Sequence, residues 1–94
     1  MTPIVWTLRA NRERLDALQY LFLRSATAAR NQSREISKQV ATLGLFPELG
    51  RPGLDKGTRE LVIRRTPFRT VYQYRPDLPR VAIARLLHNA RHGC

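Results

Sequence analysis

Cysteine is all but missing from this 94-residue chain: the single thiol, Cys94, is the last residue. That excludes an intrachain disulfide framework and a cysteine-based zinc site, and it suits a reducing compartment. Lysine is nearly as scarce. Of 17 basic residues only Lys38 and Lys56 are lysines, so arginine carries the positive charge, and its planar fork pairs bidentately with carboxylates and phosphates. Acidic residues number only 7, leaving a formal net charge of +10. An imbalance of that size points to an acidic partner, nucleic acid or protein, beyond the solubility that surplus charge gives any domain. No apolar run approaches the roughly 18 to 20 residues that span a bilayer, and the Pro3–Leu8 stretch is too short for a signal-peptide core. The expectation is a soluble cytoplasmic protein without membrane contact. No metal or cofactor is expected either.

What is present is an ordinary globular composition, 43% apolar and 26% charged, which argues against disorder and coiled coil and for one domain over residues 1–94. Residues Pro3–Leu8 are β-branched and aromatic and read as a strand running into a helix capped by Asn11. Leu15, Leu18 and Phe22 recur at helical spacing to about Leu23 or Arg24, and Ser25 caps a second helix whose stripe is Ala29, Ile36, Val40 and Leu43, with Gly44 as the stop. Arg12, Arg14, Arg30 and Arg34 read as a solvated helix surface. Residues Leu45–Gly57 hold two prolines and three glycines and read as a loop long enough to be functional. Three strand-like runs follow at Thr58–Arg65, Phe68–Arg75 and Arg80–His88, with connections short enough for an antiparallel meander. The order is β-α-α-β-β-β, an α+β fold in which a helical hairpin covers one face of a small, largely antiparallel twisted sheet.

Four blocks of sequence carry a resemblance: Leu45–Pro52 (LFPELGRP), Gly57–Ile63 (GTRELVI), Thr66–Phe68 with Val71–Tyr72, and Leu87–Arg91 (LHNAR). With Trp6 in the first strand, Leu15 and Leu18 in the helix and Tyr20 before the Ser25 cap, the chain resembles the RelE/ParE superfamily of type II toxins almost end to end. The resemblance implies a growth-inhibiting toxin that forms a hetero-oligomer with a cognate acidic antitoxin, whose partly disordered C-terminal region folds on the toxin. It implies one of two targets, since relatives of RelE are ribosome-dependent mRNA endonucleases and relatives of ParE poison DNA gyrase.

Cleaving RNA through its own 2′-hydroxyl needs a base, an acid and cations for the phosphorane charge. The resemblance assigns cationic positions to Arg64 and Arg91, and His88 is the histidine placed to move a proton; arginine itself stays protonated. His92 sits near the end of the chain, and Lys56 lacks the basic neighbours of the nuclease loop. Gly57–Val62 with Thr66–Phe68 is closer to the ParE-like branch, which needs no proton-transfer groups. The expected target-binding surface is therefore basic and comprises Arg59, Arg64, Arg85, His88 and Arg91. Arg85 joins it if its side chain points away from the helices, because strand alternation leaves both faces of Arg80–His88 open. Leu15, Leu18 and Phe22 read either as core or as a groove for an antitoxin helix, and Glu60 as a structural ion pair with Arg59. The alternatives are a ribosome-dependent endonuclease using Arg64, His88 and Arg91, and a nontoxic nucleic-acid-binding module with salt-dependent binding.

Overall fold

The protein's structure, a computed structural model, describes residues 1–89. Its first strand, β1 (Ile4–Trp6), ends at Thr7, whose hydroxyl accepts from the Ala10 N–H at 3.1 Å and caps α1 (Leu8–Arg24). This cap lies four residues earlier than the expected Asn11, because the β-branched Thr7 that prolongs the strand-like run is also an effective N-cap. Asn11 instead accepts from Arg14 Nη2 at 2.6 Å, and the Arg14 guanidinium lies 4.2 Å from the Trp6 ring centroid. Arg14 is thus fixed by a cation–π contact and is not simply solvated. Ser25 does double duty: its N–H donates to Leu21 O to close α1, and its hydroxyl accepts from the Ala28 N–H to open α2 (Ala26–Ala41). A single residue between the helices makes the hairpin tight.

A 3-10 turn (Thr42–Gly44) leads into the loop, which contains one short strand that its proline and glycine content concealed, β2 (Arg51–Pro52). Then come β3 (Arg59–Val62), β4 (Phe68–Arg75) and β5 (Arg80–His88), forming one sheet in the order β1-β5-β4-β3-β2. The pairings are antiparallel except β1 with β5, which is parallel with Ile4 opposite Val81. The expected α+β architecture is therefore present, with five strands. Proline within the two-residue β2 blunts that edge of the sheet.

A β-bulge resolves the ambiguity of β5. Val71 lies opposite Arg85 and Tyr72 opposite Ile83, so Ala84 has no partner, and the buried row passes from Val81 and Ile83 to Leu86. The core combines these with Phe68, Tyr72 and Ile63 from the sheet side and Ile36, Val40 and Leu43 from the second half of the hairpin. Helix α1 packs through Leu21 and through Ala10 and Ala17, whose small side chains allow close approach. Leu15 and Phe22 are instead 56% and 57% exposed, which corrects their reading as core. No described helix is long and apolar enough to cross a membrane.

Candidate functional site

The sheet face away from the helices carries Glu60, Val62, Arg69, Val71 and Gln73 in register. Arg69 stands out, being only 4% exposed. Its Nε meets Glu60 Oε1 at 3.2 Å, diagonally across the β3–β4 pair, and Nη1 donates to Asn89 Oδ1 at 3.1 Å. A buried guanidinium needs such acceptors, because an uncompensated charge there costs several kcal/mol. Arg51 Nη2 approaches the same Glu60 oxygen at 3.9 Å, and these groups with Asn89 line a cavity of about 420 Å³. Glu60 thus pairs with Arg69 and Arg51 and not with its neighbour Arg59.

Arg59 lies on the opposite, helix-covered face, in register with Tyr72. Its Nη1 donates to Gly50 O at 2.8 Å and Glu48 O at 3.3 Å, and Nη2 lies 3.7 Å from the Glu48 carboxylate. The fully buried Tyr72 works beside it: its hydroxyl donates to Pro47 O at 2.9 Å and accepts from the Gly50 N–H at 2.8 Å. Burial is the main reason the Tyr72 phenol is pushed up from its ordinary pKa. Gly50 is confined here, since a Cβ would sit 2.6 Å from Glu60 O and 2.8 Å from the Tyr72 ring and hydroxyl.

Arg64 occupies the β3–β4 turn. Gln39 of α2 clamps its backbone from both sides, accepting from the Arg64 N–H and donating to the Arg64 carbonyl, each at 2.8 Å. Gln39 Nε2 also donates to Glu35, whose carboxylate lies 3.8 Å from Arg65 and 3.5 Å from Lys38. The hydrogen bond from Gln39, with the two cations, holds the Glu35 carboxyl below its ordinary pKa. Arg65 takes a positive φ of 70°, a conformation uncommon for a non-glycine residue. The turn is therefore fixed to the helix at its backbone while the Arg64 side chain stays exposed.

Arg85 does not face away from the helices. Its Nε and Nη2 grip the Glu13 carboxylate of α1 at 2.8 to 3.1 Å, and the Leu86 N–H donates to the same carboxylate at 3.0 Å. Burial alone raises the Glu13 pKa, but the bonds from Arg85 and Leu86 outweigh it and the net displacement is downward. With Thr7 Oγ1 donating to Ala84 O at 3.3 Å, α1 covers the edge of β5 beyond the end of β1. His88 lies across from Phe68, ring centroids 5.4 Å apart and edge-on, and both line a largely apolar cavity of about 550 Å³ with Tyr20, Leu21 and Leu86.

Of the five residues expected to form one basic surface, the four that the structure describes, Arg59, Arg64, Arg85 and His88, are not brought together. Arg59 is committed to the loop and Arg85 to Glu13. Because Ile63 bonds to Phe68, and Phe68 pairs with His88, the backbone of Ile63, the residue before Arg64, is two strand spacings from His88, about 10 Å. Arg91 and His92 lie outside the described residues. Leu15, Leu18 and Phe22, in contrast, do converge: with Arg30 and Arg34 they line a groove of about 780 Å³ between α1 and α2. The buried Arg69 was missed, although its alternation with Glu60 across a short hairpin was the available signal.

Comparison with known proteins places this geometry among toxins. The family model described as "ParE toxin of type II toxin-antitoxin system, parDE" matches residues 4–93. Y4kP of Sinorhizobium fredii, which bears the name of a candidate toxin, is 40% identical over 76 residues, covering 80% of this chain and 78% of the relative. A chain from the chromosomal ParDE system of P. aeruginosa superposes with a TM-score of 0.81 at 22% identity, over 94% of this chain and 96% of that one. A chain from the RelBE2 toxin–antitoxin complex of Mycobacterium tuberculosis does so with a TM-score of 0.59 at 20% identity, over 93% and 96%.

Proposed function

The chain belongs to the family of ParE toxins of type II toxin–antitoxin systems, and from that premise we propose that it arrests growth by poisoning DNA gyrase through binding, without a reaction of its own. The observation that carries this reading is the pairing of its arginines. Arg69 and Arg85 are held by Glu60 and Glu13, Arg59 is spent on loop carbonyls, and His88 packs against Phe68. The carboxylates beside Arg69 and Arg85 are themselves held in those ion pairs, whereas RNA cleavage needs a group left open to take the 2′-hydroxyl proton. A binder has no such requirement, and the exposed Arg64 and Arg65 at the β3–β4 turn suit an acidic protein or DNA surface in the gyrase complex. Gyrase acts in the cytoplasm, which is where the protein would work.

The groove of Leu15, Leu18 and Phe22, rimmed by Arg30 and Arg34, suits the amphipathic, acidic helix of a cognate antitoxin. Both structural relatives come from toxin–antitoxin systems, in line with a hetero-oligomer. The test is to incubate antitoxin-free protein with gyrase, relaxed plasmid and ATP and to resolve the products after detergent and protease. Loss of supercoiling with accumulation of linear plasmid is expected. Normal supercoiling with folded protein refutes the gyrase reading and moves the target to the ribosome and its mRNA.

A further inference from the structure

The loop 45–50 combines two properties that folding alone does not account for. Its backbone is bonded almost throughout: the N–H groups of Leu45 and Phe46 donate to Thr42 O and that of Leu49 to Phe46 O, while Tyr72 and Arg59 hold the carbonyls of Pro47, Glu48 and Gly50. Yet the side chains this scaffold presents are Leu45, Phe46 and Leu49, exposed at 63%, 61% and 54%. The buried Tyr72 and the partly exposed Arg59 thus fix an apolar cluster in solvent, an arrangement that lowers the ordering cost of binding.

We propose that Leu45, Phe46 and Leu49 are the anchor by which this toxin docks into an apolar cleft of its folded target protein, a cleft rimmed by carboxylates that face Arg51 and Lys56. The inference rests on the toxin reading and names the contact that reading leaves open. Three arguments select this occupant. An exposed cluster already fixed on its own scaffold suits a preformed cleft, which a folded protein has and an antitoxin segment that folds on its toxin does not. Three side chains are far too few for a dimer of this chain, which takes about 800 Å² from each partner, but they match the handful of residues that dominate a larger interface. The exposed Arg51 and Lys56 that follow the cluster, on a chain of net charge +10, repel a second copy and attract an acidic rim. The cluster is also distinct from the helical groove. The groove's α2 residues run from Ala29 to Ser37, and Leu45 follows the last of them by eight residues, at the far end of the hairpin.

The test uses the full chain and its Phe46→Ala, Leu49→Ala and Lys56→Glu variants. Growth arrest on graded induction, affinity for the cognate antitoxin, thermal midpoint and inhibition of gyrase supercoiling are all measured. Each variant is expected to need at least about tenfold more protein for equal arrest, with antitoxin affinity within about threefold and the midpoint little changed. Arrest unaltered by the variants, or antitoxin affinity falling in step with arrest, overturns the proposal. Growth arrest by a wild-type chain that leaves supercoiling untouched refutes gyrase as target, and loss of that arrest in Phe46→Ala still supports docking on another folded protein. A wild-type chain that arrests no growth overturns both.

Discussion

Replacing Tyr72 by Phe isolates what the loop 45–50 draws from the sheet. The ring and its packing stay, and only the hydroxyl that donates to Pro47 O and accepts from the Gly50 N–H is removed. Gly50 is buried and half-buried Pro47 is closer to solvent, so the unsatisfied Gly50 N–H carries most of the cost, about 1 to 3 kcal/mol, while the Pro47 carbonyl recovers a water. A loss of about 2 kcal/mol lowers the midpoint of a domain this size by roughly 8 to 16 °C. Thermal melts and urea titrations measure it, with an unchanged urea slope showing that the fold is the same. Hydrogen exchange at the Gly50 amide supplies a local readout and should accelerate more than exchange in the β4–β5 pair. A midpoint within about 2 °C of wild type, or an unchanged Gly50 amide, refutes the claim that this hydroxyl pins the loop. The same residue sets an alkaline limit. Its phenol is raised, so its contribution is present below the ordinary value of 10.0 and is lost as pH climbs past it, a decline that Tyr72→Phe should reduce.

Three further outcomes are expected. Glu13→Gln should cost about 1 to 3 kcal/mol in urea titrations, because Arg85 loses its counter-charge at the β5 edge. Since the Glu13 pKa is lowered, its contribution is present above the ordinary carboxylate range and fades as pH falls through it, so the variant should lose less stability between pH 7 and pH 3 than wild type does. Arg69→Met should destabilise by about 3 to 5 kcal/mol by leaving the buried Glu60 charge with only the exposed Arg51, 3.9 Å away, and adding Glu60→Leu should restore much of the loss in a double-mutant cycle. Gln39→Ala should cost about 1 kcal/mol and speed amide exchange at Arg64, whereas slow exchange there would mean that the turn holds itself.

The sequence was most informative where one local signal acted without competition. The spans of β4 and β5 and the Ser25 junction follow from alternation, turn residues and a capping hydroxyl. It misled where two signals overlapped. Helix α1 has apolar residues on two sides, and the stripe with the larger side chains, Leu15 and Phe22, faces solvent, because Ala10 and Ala17 let the other side lie closer to the sheet. The phase of β5 depends on a bulge at Ala84, which no pattern of apolar residues announces. The candidate site was hardest to read: Arg59, Arg69 and Arg85 look alike along the chain, and only register and the placement of Glu48, Glu60 and Glu13 separate loop clamp, buried pair and edge seal.

The parallel pairing of the first strand with the last also governs the order in which this protein comes into being. Val81 N–H donates to Pro3 O and Thr7 N–H to Ile83 O, so contacts that complete the sheet join residues as much as 78 positions apart. At about 5 to 20 residues per second of synthesis, Ile4–Trp6 must wait roughly 4 to 15 s for the strand that receives it. A nascent chain interrupted before Ile83 has the helical hairpin but no strand to seat its first segment or cover α1. Toxin activity should therefore emerge only from chains translated past Ile83, with no graded activity from shorter products.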